Sequence, residues 1–170
     1  AMAHDPAPGI TTAYAGGILE WDKDTWTVID TVGPSPSPRT ESTLVYDSLR
    51  GVSVLFGGLT IAGSKSEGTN DMWEWDGASW SECVPEHPHL PPPRSEHAMV
   101  YDSGRDVLIL YGGTLEVDQE SSGGPESQLG RRTWEWDGAS WRARATGPSQ
   151  IRNHTMVYDR QRELTLLFGG

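Results

Sequence analysis

Trp73-Glu74-Trp75-Asp76-Gly77-Ala78-Ser79-Trp80 recurs without change as Trp134-Glu135-Trp136-Asp137-Gly138-Ala139-Ser140-Trp141, and Leu19-Glu20-Trp21-Asp22-Lys23-Asp24-Thr25-Trp26 is a diverged copy. Around these copies the same order repeats. Val45-Tyr46-Asp47, Val100-Tyr101-Asp102 and Val157-Tyr158-Asp159 are each followed by an arginine and then by an apolar run that ends at Gly57-Gly58, Gly112-Gly113 or Gly169-Gly170. A unit of this size cannot bury its apolar face alone, so the stacking of successive copies decides the fold.

The alternation in His97-Ala98-Met99-Val100-Tyr101 predicts a half-buried strand, and the continuous run Val107-Leu108-Ile109-Leu110-Tyr111 predicts a strand buried on both faces. Asp102-Ser103-Gly104-Arg105 joins them as a tight turn, in which the aspartate caps the backbone and the arginine pairs with it. Asp47 to Arg50 and Asp159 to Arg162 are its counterparts. Trp134 to Trp136 and Ser140 to Arg142 predict a second hairpin through Asp137-Gly138, read as a two-residue turn that needs positive φ. Each unit is thus a four-stranded antiparallel meander, with short turns on one edge and long connections on the other. Those connections, Leu59 to Asp71, Glu82 to Pro93, Leu115 to Gly130 and Ala143 to Gln150, mark the face on which to look for a partner.

Across its 170 residues the chain has 13 basic and 24 acidic side chains and a net charge of −11, which argues against electrostatic binding to nucleic acid or an anionic membrane. No apolar run is long enough to cross a bilayer as a helix. The single cysteine, Cys83, excludes an internal disulfide and fits a reducing compartment such as the cytoplasm. Ala1-Met2-Ala3 reads as a cloning remnant, with residues 1–9 a disordered lead.

Gly-Gly closing the second strand, an aromatic third strand, a tryptophan in the fourth and Pro-Arg-x-x-His before the first together resemble the kelch repeat, a blade of a β-propeller. The resemblance implies an all-β kelch-like propeller with three four-stranded blades over residues 10–170. Residues 39–84 and 94–145 form two of these. The third is split, with strands three and four in residues 10–33 and strands one and two in residues 152–170. Three blades do not close a ring, so either the chain is an excerpt from a longer propeller or two copies complete it; the expectation is a homodimer, in which Gly17 to Thr31 of one copy pairs with His154 to Gly170 of the other to give six blades.

In a propeller the first strand lines the channel. The resemblance therefore places Arg39, Arg94 and Arg152, the last shifted by one position, around the channel mouth with Glu41, Glu96, His97 and His154. Such a ring suits a small anionic ligand, held by forked guanidinium donors; paired to carboxylates, the same arginines hold blades together. The tryptophans are expected to fill the wedge between blades. His87-Pro88-His89, with Glu86 and Cys83 nearby, is a weak metal candidate, more simply a stiff linker; Glu116, Asp118 and Glu120 put three carboxylates in the longest connection. Kelch proteins include recognition domains, sugar-acid isomerases, copper-radical oxidases and iron-dependent specifier proteins. Neither the cross-linked Cys-Tyr copper set nor the Glu-x-x-x-Asp-x-x-x-His iron run occurs here. The expected function is a non-enzymatic binding module without a cofactor. The alternatives are an isomerase or lyase acting on an acid at the Arg/His ring, or a propeller fragment, natural or engineered, with assembly as its only property.

Overall fold

The computed structural model describes all residues except 63, 64, 88, 116–129, 148 and 150. Among the described residues there is no α-helix, and the strands form several antiparallel sheets, none closed on itself. The first sheet runs β1 (Met2–Asp5), β2 (Ile10–Tyr14), β3 (Ile18–Trp21) and β4 (Trp26–Ile29) in simple order. In the second, β5 (Arg39–Thr40) and β6 (Thr43–Asp47) lie end to end along β7 (Val52–Ala62), followed by β8 (Lys65–Trp75) and β9 (Trp80–Glu82). In the third, a short pair of β10 (Arg94–Ser95) and β13 (Thr114–Leu115) accompanies the order β11 (Ala98–Asp102), β12 (Val107–Tyr111), β14 (Arg132–Trp136), β15 (Trp141–Thr146). Last come β16 (His154–Asp159) and β17 (Leu164–Gly169), a two-stranded hairpin.

The innermost strands lie side by side, β1 against β6, β6 against β11 and β11 against β16. The arrangement fits a β-propeller-like fold. Two apolar wedges separate the sheets. One joins Tyr14 and Ile18 to Leu44, Leu55, Trp73, Trp75 and Trp80; the next joins Val54, Phe56 and Met72 to Tyr101, Leu110, Trp134, Trp136 and Trp141. Each tryptophan-rich strand thus buries its aromatic side against the preceding sheet. Trp26, in the first sheet, has no such neighbour and remains 47% exposed, whereas Trp75 and Trp136 are each 2% exposed.

Several details differ from expectation. Residues 1–9 include a strand, because Ala1-Met2-Ala3-His4-Asp5 takes the place that Ala98-Met99-Val100-Tyr101-Asp102 holds in the third sheet. The first sheet is therefore completed within the chain. β3 is paired with β2 on one side and β4 on the other, so Gly17 to Thr31 has no free edge on β3 for a second copy's C-terminal hairpin. The span Leu59 to Asp71 is not a loop: β7 and β8 stay paired from Gly58↔Thr69 out to Ala62↔Lys65. Ala143 to Thr146 likewise belongs to β15.

The turn chemistry is as the sequence suggests, with one change. Asp47 Oδ1 accepts the amides of Leu49 and Arg50 at 3.0 and 3.1 Å, and Asp102 and Asp159 cap their turns in the same way. The Asp-Gly turn spans four residues rather than two, since Trp136 pairs with Trp141 and the Asp137 amide donates to the Ser140 carbonyl. Gly77 and Gly138 have φ of 94° and 96°; in the first sheet Lys23 must adopt 90°.

Removing that strain in Lys23→Gly is expected to stabilise the protein by about 0.5–1 kcal/mol. Trp136→Ala is expected to cost about 3–5 kcal/mol, and Trp26→Ala less than about 1 kcal/mol because it is half exposed. Urea unfolding of the three variants checks all three values.

Candidate functional site

An open cavity of about 280 Å³ lies along β1, β6, β11 and β16, and its lining includes Ser42, Thr43, His97 and His154. Both histidines reach it, although each is mainly a packing residue. His97 meets Phe56 of the preceding sheet edge-on at 5.5 Å, and its Nε2 is hydrogen-bonded to Thr43 Oγ1 at 2.9 Å. His154 repeats the contact one sheet further on, edge-on to Tyr111 at 6.0 Å. Burial, helped by the charges of Arg94 and His154, pushes His97 down to about 3, so it stays neutral at physiological pH. Burial lowers His154 as well.

The expected ring of arginines does not assemble at this cavity. Arg39 forks onto Asp71 of β8, Nη1 to Oδ1 at 2.6 Å and Nη2 to Oδ2 at 2.8 Å, while its Nε donates to the Ser37 carbonyl at 3.0 Å. Burial raises the Asp71 pKa, but bonds from Arg39 and from Trp73 Nε1 outweigh it and hold the carboxylate below its usual range. Arg94 is fully buried and donates to the carbonyls of Pro92 and Gly112 at 3.2 and 2.9 Å. Burial lowers its pKa to about 10, which leaves it charged near neutrality. Arg152 is exposed and occupies the place of Ser95, since the Ile151 carbonyl meets Gly112 as the Arg94 carbonyl meets Gly57.

Glu41, Glu96 and Asn153 share one role. All three adopt φ between 54° and 57° and break the strand before the axis. The Glu96 amide donates to the Glu41 carbonyl at 3.2 Å, and the Asn153 amide to the Glu96 carbonyl at 3.0 Å, so a backbone chain links three successive sheets. The Glu96 carboxylate adds to it by accepting from Thr114 Oγ1 at 2.7 Å and Asn153 Nδ2 at 2.8 Å, with Arg152 3.7 Å away. These contacts lower its pKa. The Glu41 side chain is exposed.

His87 and His89 are both exposed, and no group of three metal-ligating side chains occurs among the described residues. Burial first, and then Glu74, pushes the Cys83 thiol up to about 12, so it rests protonated near neutrality. Glu116, Asp118 and Glu120 lie outside the described residues. A groove that was not expected opens on the long-connection face. The extension of β7 and β8 stands beside the Ala15-Gly16 turn and Ser37-Pro38, enclosing about 450 Å³ with Leu59, Thr60 and Ile61. Its signal in the sequence was the apolar alternation continuing through Leu59-Thr60-Ile61 beyond Gly57-Gly58.

No family model matches the chain, and no curated protein matches it. Among solved structures, that of a protein named YjhT is similar, with a TM-score of 0.69 and 12% identity over 91% of this chain. The chain spans 53% of that structure. At this identity the likeness concerns the fold alone.

An unfolded histidine takes up a proton near pH 6.5 whereas folded His97 does not, so its stabilisation is complete above that pH and is lost as pH falls. Unfolding free energy should drop by up to about 1.4 kcal/mol per pH unit between about pH 6.5 and 4.5, and His97→Gln should flatten this slope. Arg39→Ala is expected to cost about 3 kcal/mol or more, since it leaves Asp71 without its partner. Denaturant titrations across that pH range measure both.

Proposed function

We propose that the protein is a non-enzymatic, kelch-type propeller module that binds an apolar segment of another protein on its long-connection face. The observation that carries this reading is the groove between the β7–β8 extension and the Ala15-Gly16 and Ser37-Pro38 segments. Ala15, Pro38, Leu59 and Ile61 give it apolar surface beside Ser37, Arg39, Thr40 and Thr60, and Ile61 is 80% exposed. An extended hairpin that projects past its sheet supplies both apolar contact and a rigid wall. The use of Arg39 and Arg94 inside the structure supports the same reading, because it withdraws the forked donors an acid substrate would need.

Selection of a displayed peptide library against the protein tests the proposal. Apolar peptides should emerge whose affinity falls tenfold or more, about 1.4 kcal/mol, in Ile61→Asp and is unchanged in Arg152→Ala. Binders indifferent to Ile61→Asp, or binding of a sugar acid or citrate that disappears in Arg152→Ala, would contradict it.

A further inference from the structure

In the second and third sheets, one arginine joins the inner turn to the third strand. Arg50 Nε donates to Asp47 Oδ2 at 2.8 Å and its Nη1 to Glu74; Arg105 Nε donates to Asp102 Oδ2 at 2.7 Å and its Nη1 to Glu135 Oε1 at 2.7 Å. Each guanidinium thus lies between a turn aspartate and a third-strand glutamate. Glu135 also accepts from a second arginine, Arg144 Nε, at 2.6 Å.

The first sheet keeps both acids in register and has neither arginine. Asp5 pairs with Ile10 as Asp102 pairs with Val107, and Thr12 pairs with Glu20 as Ile109 pairs with Glu135. Pro8 stands in the place of Arg50 and Arg105, and Ile29 in that of Arg144, counted from Trp21↔Trp26 and Trp136↔Trp141. Glu20 has no ion pair among the described residues. Asp5 Oδ1 accepts the Ala7 amide at 2.9 Å, and the Tyr46 hydroxyl lies beside the same carboxylate. Lys23 lies beside Gly9 and pairs with neither acid among the described residues. At the short-turn edge, between the first and second sheets, Asp5 and Glu20 border a cavity of about 160 Å³. Thr12, opposite Glu20 on β2, and Ser53 of β7 line it as well. They are 6% and 5% exposed, and neither hydroxyl has a hydrogen-bond partner among the described residues. Buried hydroxyls without partners are costly. Together with the two carboxylates they form an acceptor set around one space.

We propose that this cavity binds a small alkylguanidinium ion, whose guanidinium takes the place that the Arg50 and Arg105 side chains hold in the neighbouring sheets. Its N–H groups donate to Asp5 and Glu20, Thr12 and Ser53 accept from the remaining donors, and the alkyl chain lies against Pro8 and Ile10. Charge and geometry select this class. A guanidinium spreads its donors in a plane and reaches two carboxylates at once, whereas an ammonium is a compact point charge. A metal ion is short of ligands, since no group of three His, Cys, Asp or Glu side chains able to hold one occurs among the described residues. An anion is repelled by both acids. The site is separate from the groove of the proposed function and does not depend on it.

The probe is propylguanidinium, titrated into the intact protein by calorimetry at fixed ionic strength, with propylammonium as the control for charge alone. Saturable 1:1 binding is expected, tenfold or more tighter than that of propylammonium. Glu20→Gln and Asp5→Asn should each weaken it tenfold or more. Glu20→Gln should melt no lower than the parent, because it removes a carboxylate without an ion pair, so its loss of binding is not loss of fold. Pro8→Arg returns to the turn the side chain that the other two sheets have and should abolish binding, whereas Pro8→Ala should retain it. Absence of saturation, an equal response to propylammonium, or binding unchanged in both Glu20→Gln and Pro8→Arg would each overturn the proposal. Tighter binding of acetyl-Gly-Arg-Gly-amide than of propylguanidinium would overturn the assignment to a free ion in favour of an arginine borne on another chain. Saturation seen only in Lys23→Ala would show the acids served by the chain's own ammonium and would overturn it too.

Discussion

Close backbone approach at the glycine pairs is the constraint on which the rest of the structure depends. A Cβ at Gly57 would lie 2.9 Å from the Arg94 carbonyl oxygen of the next sheet, and one at Gly112 would lie 2.4 Å from that of Ile151. Both residues also hold positive φ, 62° and 71°. Only glycine meets both demands. Where the chains approach this closely, the amide of Gly113 reaches the Ile151 carbonyl at 2.7 Å, and the left-handed residues Glu96 and Asn153 extend the chain of backbone bonds from Glu41 around the axis. The inner ends of the sheets are thereby fixed near one another. The space between neighbouring sheets is filled by large side chains, the tryptophans of β8, β9, β14 and β15 among them.

That geometry explains the division of labour among the repeated residues. Tryptophans fill the wedge, histidines at the strand starts fit against the aromatic residue of the preceding second strand, and ion pairs hold each sheet together internally. The arginine of the inner turn spans to the glutamate between the tryptophans, and Arg39 spans to Asp71. Residues with chemically versatile side chains are therefore engaged in structure at the axis. The surface proposed for a partner is the groove beside the β7–β8 extension.

The repeat order, the capped Asp-x-x-Arg turns and the buried tryptophans of the second and third sheets were legible because each depends on residues close in sequence. The first sheet was not. Pro8 stands where Arg50 and Arg105 stand, His4 where Tyr101 stands, and the β2–β3 connection shrinks to Ala15-Gly16-Gly17, so the motif disappeared while the pairing persisted. The direction of Arg39 was equally hidden, since it is set by Asp71, a partner 32 residues away. The one-residue offset of Arg152 mattered for a related reason. Register is counted from the glycine pair, which puts Ile151 and not Arg152 in the arginine position. In the candidate groove, Leu59 to Asp71 had the composition of a loop, yet continued pairing across Gly58↔Thr69 turned it into strand.

Amide hydrogen exchange in Gly112→Ala tests the close-approach constraint most directly, with Gly51→Ala as the control. Gly51 shares a positive φ of 70°, but a Cβ there would meet nothing within 4 Å, so its variant carries backbone strain alone. In Gly112→Ala, protection of Thr155 to Val157 in β16 should fall well below that in Gly51→Ala, while Val54 to Phe56 of the second sheet stay protected. Equal protection of β16 in the two variants would contradict the claim that backbone contact at the glycine pair holds one sheet to the next.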